Sequence, residues 1–384
     1  MASLAQQRIS LHCAHARALL HPRHPPPSLG REGMTLPIEV PLQLPQPRTP
    51  DPHDAPAIRW GIIAPGGIAH TFAEAVAVGT ASQVVAVGSR SSERARDFAD
   101  EFAIPTAYGS YEELVADDEV DAVYVASPHS EHRDHALLAI EAGKPVLVEK
   151  AFARSAAEAR QVILAAEARG LLVMEAMWSR FLPHYDVVRH VVETGLIGDV
   201  VAVFADHGQR LYPDGPARLA QPDLAGGALL DLGVYPVSFA DMVLGAPAHV
   251  AATGTLTELG VDATTTITVT GAGGAHGVLS CTMAAVTPCT AVVAGTEGRL
   301  ELSGTFYGAG SGIRLVSRTN EVLDEHPAGM PEDVRGFSYE AAEFARCLVA
   351  GERESSLLPH STTVRVMETM DEVRRQVGVT YPGE

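Results

Sequence analysis

The chain reads as an α/β protein: an N-terminal doubly wound parallel sheet, followed by a C-terminal α+β domain with an open, mostly antiparallel sheet. Three observations carry this. The run RWGIIAPGGIAHTF, Arg59 to Phe72, leads an apolar strand into a Gly-rich turn and a helix. Short Val- and Ile-rich runs then alternate with helical patterns as far as Met177. After Pro183 the texture turns to β-branched alternation broken by Gly-rich turns. Strand–helix alternation implies parallel strands with helices on both faces, and period-two alternation implies strands with one buried face.

The first strand, Trp60–Ala64, ends at Gly66 and Gly67, and a helix over Ala69–Val78 follows. This layout aims backbone N–H groups and the positive end of a helix dipole at one point, where a pyrophosphate is held without a basic side chain. Gly61, Ile63, Pro65, Gly66, Gly67 and Ile68 make up the turn, with Ile63 where G-x-G-x-x-G has its middle glycine. Taken alone, the motif also fits an ordinary strand-to-helix turn. Strands follow at Val84–Ser89, Ala122–Ala126, Val146–Glu149 and Leu171–Glu175. Helices fall between them at Ser91–Phe102, Glu131–Ala142 and Ala156–Arg169, with Ser155 and Glu158 forming a capping box. The carboxyl ends of such strands form the ligand crevice.

The second region begins with a helix, Asp186–Thr194, then strands at Val200–Ala205, Val250–Leu256, Thr264–Thr270 and Gly277–Thr282. Gly295-Thr296-Glu297-Gly298 is expected to be a hairpin turn. Helices over Tyr339–Val349 and Thr362–Val377 close the chain. The domain boundaries expected are 58–178 and 179–384. Residues 1–57 hold 11 of the 26 prolines and little periodicity, and are expected to be a disordered tail. The stretch Arg8–Arg23, which lacks acids, also fits a targeting segment, and translation starting near Met34 is a third reading.

Composition narrows the function. A chain of 384 residues, 46% hydrophobic, buries a sizeable core without metal or disulfide staples. A net charge of −19 argues against nucleic acid and anionic membrane surfaces as partners. No apolar run reads as long enough to span a bilayer. The cysteines Cys13, Cys281, Cys289 and Cys347 lack metal or redox spacing, which suits a reducing, cytoplasmic setting. His129, His132 and His135, three apart, are expected to make loop contacts and caps and to bind no metal.

Three places carry chemistry. The second strand ends Gly88-Ser89-Arg90-Ser91, with no acid to hold a ribose 2′-hydroxyl. A hydroxyl and a guanidinium suit a 2′-phosphate, which favours NADP over NAD; helix capping by Ser91 is compatible with that. The fourth strand ends Glu149-Lys150, so the Lys150 ammonium is placed over the crevice to polarise a carbonyl or lower the pKa of a hydroxyl acid; an exposed loop lysine is the alternative. In GGALLDLGVYP, Gly226 to Pro236, Asp231 and Tyr235 stand four apart and would share a helical face. Tyr235 is then either a proton-transfer group beside a lysine or a core tyrosine satisfied by Asp231.

The turn GIIAPGGIA, the run VYVASPHSEHRDHALLAIEAGKPVLVEK, then MEAMWSRFLP and GGALLDLGVYP follow one another in the order of one large family. The chain resembles the glucose–fructose oxidoreductase / inositol dehydrogenase / MocA family of NAD(P)-dependent oxidoreductases over about Arg59 to Gly378. It is most similar to the dimeric dihydrodiol dehydrogenase and NADP-dependent xylose dehydrogenase branch. The resemblance implies an N-terminal Rossmann domain, Lys150 as catalytic lysine, Tyr235 as acid/base and Asp231 as the acid one turn before it. It implies coenzyme contacts at the first turn, at Ser89 and Arg90, at Ser127, Pro128, His129 and His132, and at Glu149 and Lys150. Trp178, Arg180 and Phe181 would line the substrate pocket. Ala151 departs from the usual Pro of the E-K-P motif.

The expectation is an enzyme moving a hydride between NADP(H) and a secondary alcohol or carbonyl of a sugar, anhydro-sugar or cyclic diol. Tyr235 would exchange the proton, Lys150 would stabilise the oxyanion-like oxygen and depress the Tyr235 pKa, and Asp231 would orient Tyr235 or bond a neighbouring substrate hydroxyl. An NAD-linked inositol-type dehydrogenase and a non-catalytic dinucleotide- or sugar-sensing regulator are the alternatives. An open sheet with an uncovered face implies a homodimer or homotetramer.

Overall fold

The computed structural model describes residues 42–327 and 336–383. Short runs of buried apolar residues build the first sheet. β1 (Arg59–Ile63), β2 (Gln83–Gly88), β3 (Thr106–Tyr108), β4 (Ala122–Val125), β5 (Val146–Glu149) and β6 (Val173–Ala176) lie in the order β3-β2-β1-β4-β5-β6. Every pair is parallel. The strand order reverses between β1 and β4, so a crevice opens at their carboxyl ends. The expected strands match to within two residues. β3 was not foreseen, because three half-buried residues give no period.

The linking helices are α1 (Gly67–Gly79), α2 (Ser92–Phe102), α3 (Tyr111–Val115), α4 (His132–Glu141) and α5 (Ala156–Arg169). Ser91 caps α2 and Ser155 caps α5 through side-chain acceptance of the Arg94 and Glu158 N–H groups. The core of this half is aromatic. Trp60 is fully buried between Phe72 and Phe344, at ring-centroid distances of 5.3 and 4.9 Å. Phe72 stacks on Tyr124 at 3.8 Å.

After α6 (Pro183–Thr194) comes an eight-stranded sheet. Its strands are β7 (Val200–Gly208), β8 (Pro247–Leu256), β9 (Asp262–Gly271), β10 (His276–Thr282), β11 (Ala291–Gly295), β12 (Gly298–Leu302), β13 (Ile313–Ser317) and β14 (Val322–His326). They run in the order β14-β13-β12-β11-β7-β10-β9-β8. Only the β7–β10 pair is parallel. Thr296 and Glu297 join β11 to β12 as the expected hairpin. A π-helical turn, Leu229–Gly233, runs into α7 (Val234–Leu244), which packs on β7 and β10. α8 (Phe337–Ala350) returns to the first half, and α9 (His360–Val377) packs on β8 and α5. The opposite face of the sheet carries exposed Val201, Phe204 and Val278, with Val278 and Phe204 in register.

Two expectations change. Residues 42–57, assigned to the disordered tail, are tied to the body; residues 1–41 lie outside the described residues. Leu44 is buried and donates its N–H to Asp324, and Arg48 grips Asp186 on α6. The Arg346 guanidinium of α8 donates to the Asp51 carbonyl. Prolines lower the cost of ordering such a segment, so a few charged contacts hold it. Secondly, Pro222–Leu244 is long and apolar enough, by length and composition, to cross a bilayer. In this fold 83% of its apolar 18-residue stretch is buried, as the core of the second half.

Candidate active site

The crevice begins at the β1–α1 turn. Ala64 adopts a positive φ of 69°, and Gly66 heads α1 with no side-chain cap. A Cβ added at Gly67 would meet nothing within 4 Å, and one at Gly66 only the Ala64 carbonyl at 4.0 Å. The first N–H groups of α1, at Gly67 and Ile68, are therefore open to an incoming anion, and a pyrophosphate fits here. Pro65 is buried and braces the turn. Gly61 and Ile63 are corrected: neither offers the coenzyme a side-chain position. A Cβ at Gly61 would lie 3.0 Å from Val120 and 3.2 Å from Leu114, so this glycine admits the packing of α3. Ile63 is fully buried in the core.

At the end of β2, Ser89 is buried and accepts from the Ser91 N–H at 3.2 Å, whereas Arg90 is exposed. No carboxylate pairs with Arg90 among the described residues. Tyr111, whose phenol burial pushes up against the opposing Arg90 charge, is its neighbour.

The coenzyme contacts expected of His129 and His132 are also corrected, whereas all three histidines after β4 make loop contacts. Their rings are spent on the protein. His129 faces the Ala225 carbonyl with Nδ1 (3.2 Å) and the Lys150 carbonyl with Nε2 (3.3 Å). His132 faces the Ala151 carbonyl (2.9 Å) and the Ser127 carbonyl (2.8 Å). Burial keeps both neutral, pulling His129 down to about 3 and His132 to about 4. His135 bonds Ser127 Oγ at 2.9 Å. A neutral ring has one N–H, so His129 and His132 each donate to one of their two carbonyls while packing the Ser127–Pro128 loop against the Lys150–Ala151 loop that carries Lys150. The Lys150–Ala151 peptide is cis.

Glu149, expected at the coenzyme, faces the core instead. Its carboxyl accepts from the Tyr124 hydroxyl and from the Lys150 N–H at 3.1 Å. Burial raises it to about 7. Glu175 and Glu340 share this interior: burial raises Glu175 to about 7, and raises Glu340 far above the usual carboxylate range, with Glu149 and Glu175 adding to it. Neither carboxyl oxygen of Glu340 has a hydrogen-bond partner among the described residues.

Lys150 and Tyr235 do come together. The Lys150 Nζ donates to the Asp231 carbonyl at 2.9 Å, lies 3.7 Å from its Oδ1, and sits 5.2 Å from the centre of the Tyr235 ring. Asp231 does not orient Tyr235. Its carboxylate pairs with Arg218 at 3.1 Å and with Lys150. Burial opposes its ionisation, yet the Lys150 and Arg218 charges prevail and hold it well below the usual range. Tyr235 receives its hydrogen bond from the Trp178 indole N–H, at 2.8 Å. Burial raises its phenol well above 10, against the lowering expected from Lys150; the Trp178 bond opposes this and does not overcome it. The phenol is held in its neutral form.

Trp178 stacks on Phe337 at 4.6 Å and belongs to the site. Arg180 and Phe181, from the same turn, do not. Arg180 donates to the Ser238 carbonyl at 2.9 Å and Phe181 is buried beneath residues 48–50. Consecutive residues of a tight helical turn project in different directions, so one local motif cannot deliver all three.

Sequence reading missed His207, Arg218 and Tyr307. Tyr307 stacks on Tyr235 at 4.2 Å and donates to His207 Nε2 at 2.6 Å, while His207 Nδ1–H donates to the Leu232 carbonyl at 3.1 Å. Burial first, then the Lys150 charge, pulls His207 down to about 4, which leaves Nε2 an acceptor. His207 stands next to last in β7, but only a registered second sheet reveals which strand end faces the crevice.

Residues 58–177 match the oxidoreductase family model with an NAD-binding Rossmann fold, and residues 185–301 match the C-terminal domain model of the same family. The chain is 37% identical over 340 residues to trans-1,2-dihydrobenzene-1,2-diol dehydrogenase of Mus musculus, covering 85% of this chain and 98% of that one. The enzyme of the same name from Danio rerio is 39% identical over 330 residues, with the same coverage. Among solved structures, the 3-ketoreductase KijD10 from Actinomadura kijaniata, in complex with NADP and TDP-benzene, superposes with a TM-score of 0.74 at 28% identity. That match covers 85% of this chain and 99% of that one. The chain belongs to the GFO/IDH/MocA family. It is an NAD(P)-dependent oxidoreductase.

The buried acids give the fold a defined pH response. Glu175, raised from 4.5 to about 7, favours the protonated form in the folded state, so its contribution is complete below 4.5 and is lost as pH rises through about 7. Glu175→Gln keeps an acceptor for the Thr363 hydroxyl and removes the ionisation. In urea unfolding the variant is expected to gain about 2 kcal/mol over the unsubstituted protein near pH ~8.5 and nothing near pH ~4. An equal effect at both pH values would contradict the assignment.

Proposed function

We propose that the chain transfers a hydride between NADP(H) and a ring carbon bearing a secondary hydroxyl, on a cyclic diol or a sugar-like polyol. The observation that carries this is the convergence of the Lys150 ammonium, from the end of β5, and the Tyr235 ring, from α7, at the carboxyl end of the parallel sheet. When bound, the coenzyme supplies the nicotinamide carbon that gives or takes the hydride. The chain's own groups handle the proton and the charge. Tyr235 accepts from Trp178, which leaves its own O–H free to protonate a carbonyl oxygen during reduction. Lys150, fixed by the Asp231 carbonyl and carboxylate, keeps further N–H donors for the developing oxyanion. Asp231 sets where Lys150 points, and Arg218 holds Asp231. The aromatic faces of Trp178, Tyr235 and Tyr307 suit a flat apolar ring or the apolar face of a sugar.

NADP is favoured over NAD by Arg90, exposed and without a carboxylate partner at the end of β2, and by Ser89 before it. The relatives named as dihydrodiol dehydrogenases and the NADP complex of the 3-ketoreductase support the substrate class and the coenzyme. The row Val278–Phe204–Val292 on the uncovered sheet face supports a homodimer, two copies meeting face to face.

Lys150→Met is expected to lower kcat by ~100-fold or more with a cyclic diol or diketone while coenzyme still binds; a loss below tenfold would remove Lys150 from the chemistry. Ser89→Asp combined with Arg90→Ala is expected to invert the coenzyme preference, read as the ratio of kcat/KM for NADP and NAD. Phe204→Glu is expected to halve the mass seen by sedimentation equilibrium, and an unchanged mass would move the interface elsewhere.

A further inference from the structure

A cavity of about 420 Å3 opens between α6, α7 and the start of α9, and none of Lys150, Asp231, Tyr235 or Trp178 lines it. Four guanidinium groups line it, from Arg48, Arg180, Arg189 and Arg365, against the carboxylates of Asp186, Asp241 and Glu193. This is a locally cationic pocket in a chain of net charge −19.

The carboxylates are unevenly shared. Arg365 holds Asp241 through two bonds, of 2.6 and 2.8 Å. Arg48 holds Asp186 through its backbone N–H at 2.7 Å and its Nη2 at 2.8 Å. Glu193 is exposed and lies 3.7 Å from Arg48. The two inner arginines are left short of counter-charge. Arg189 reaches Asp186 only at 3.5 Å and gives Nη1 to the Arg180 carbonyl at 2.8 Å. Arg180 is buried, gives Nη1 to the Ser238 carbonyl, and has no acceptor for its Nε–H. Among the described residues no carboxylate pairs with it. Burial lowers it to about 10, with the nearby Asp241 charge opposing the fall and the Arg189 charge adding to it, so it remains a cation at neutral pH. Adjacent buried cations whose nearest carboxylates, Asp186 and Asp241, are held more closely by Arg48 and Arg365 are costly, and a guanidinium fork matches two oxygens of one oxyanion.

We propose that this cavity binds one small dianion, a phosphate or a short dicarboxylate, held by Arg180 and Arg189. Arg48 completes the site indirectly. It lies ahead of the family-matched region, which starts at residue 58, and by holding Asp186 more closely than Arg189 does it divides that carboxylate between the two guanidinium groups.

Equilibrium dialysis tests this, using the full chain saturated with NADP so that the coenzyme's own phosphate positions are filled. Radiolabelled inorganic phosphate and radiolabelled succinate are tried separately at constant ionic strength set with chloride. The expected result is saturable uptake of one anion per chain. Uptake of phosphate alone identifies a phosphoryl-type ligand, and uptake of succinate alone a carboxylate. Arg189→Gln is expected to weaken uptake ~10-fold or more, with NADP affinity within about twofold of the unsubstituted chain reporting an intact fold. Arg48→Ala, at an exposed side chain, is expected to weaken it ~3-fold or more as Asp186 turns to Arg189. No saturable uptake of either anion, or uptake unchanged in both variants, overturns the proposal. The readout is independent of turnover, so it stands or falls apart from the hydride-transfer reading.

Discussion

One ammonium joins the two halves of the site. Lys150 is carried out of the parallel sheet at the end of β5, and its Nζ lands on the carbonyl of Asp231, in the π-helical turn that begins the core helix of the second half. Everything near it is arranged to keep that reach constant. On one side, Glu149 bonds the Lys150 N–H and the Tyr124 hydroxyl, and Tyr124 stacks into the Phe72–Trp60 aromatic core. On the other, Arg218 holds the Asp231 carboxylate. The His129 and His132 rings add cross-links between the two loops that border the crevice. A long, flexible lysine side chain loses its conformational freedom here before any substrate arrives, which is how preorganised electrostatic catalysis is built.

The site also separates charge by depth. Nearest the crevice stand an ionised carboxylate and an ammonium, Asp231 and Lys150. Behind them lie Glu149, Glu175 and Glu340, acids that burial holds toward the neutral form. Three ionised carboxylates there would pull the ammonium inward, away from a substrate oxygen. Burial that favours their protonated forms weakens that pull and leaves Lys150, Asp231 and Arg218 to dominate the field at the crevice.

What could be read from the residues follows from how local the determining physics is. Strands β1, β2, β4 and β5 are apolar because both sheet faces are covered, and that composition is visible without any fold. Gly66 and Gly67 mark the turn because an N-terminal helix cradle needs open space there, and Lys150 is marked by standing directly after a strand. His207, Arg218 and Tyr307 could not be found this way, since they reach the site through sheet register and loop path. His129, His132 and Glu149 were placed on the right loops and given the wrong partners, because sequence shows where a polar group is and not which carbonyl it will face. Arg180 and Phe181 were grouped with Trp178 by adjacency, although neighbours in a tight turn point apart.

The spacing of Asp231 and Tyr235 was misjudged for a separate reason. Four residues share a face on an α-helix, but Leu229–Gly233 is wound more widely. The surplus residue lets the main-chain oxygen of Asp231 meet Lys150 while Tyr235 swings toward Trp178. Gly233 permits it, for a Cβ there would come within 2.8 Å of the Cys281 sulfur. Excising a single residue upstream of Gly233 would return the coil to ordinary winding and rotate all that follows by roughly 100° about its axis. A change of chain length by one unit in this coil therefore re-aims the phenol, which a change in a surface loop does not.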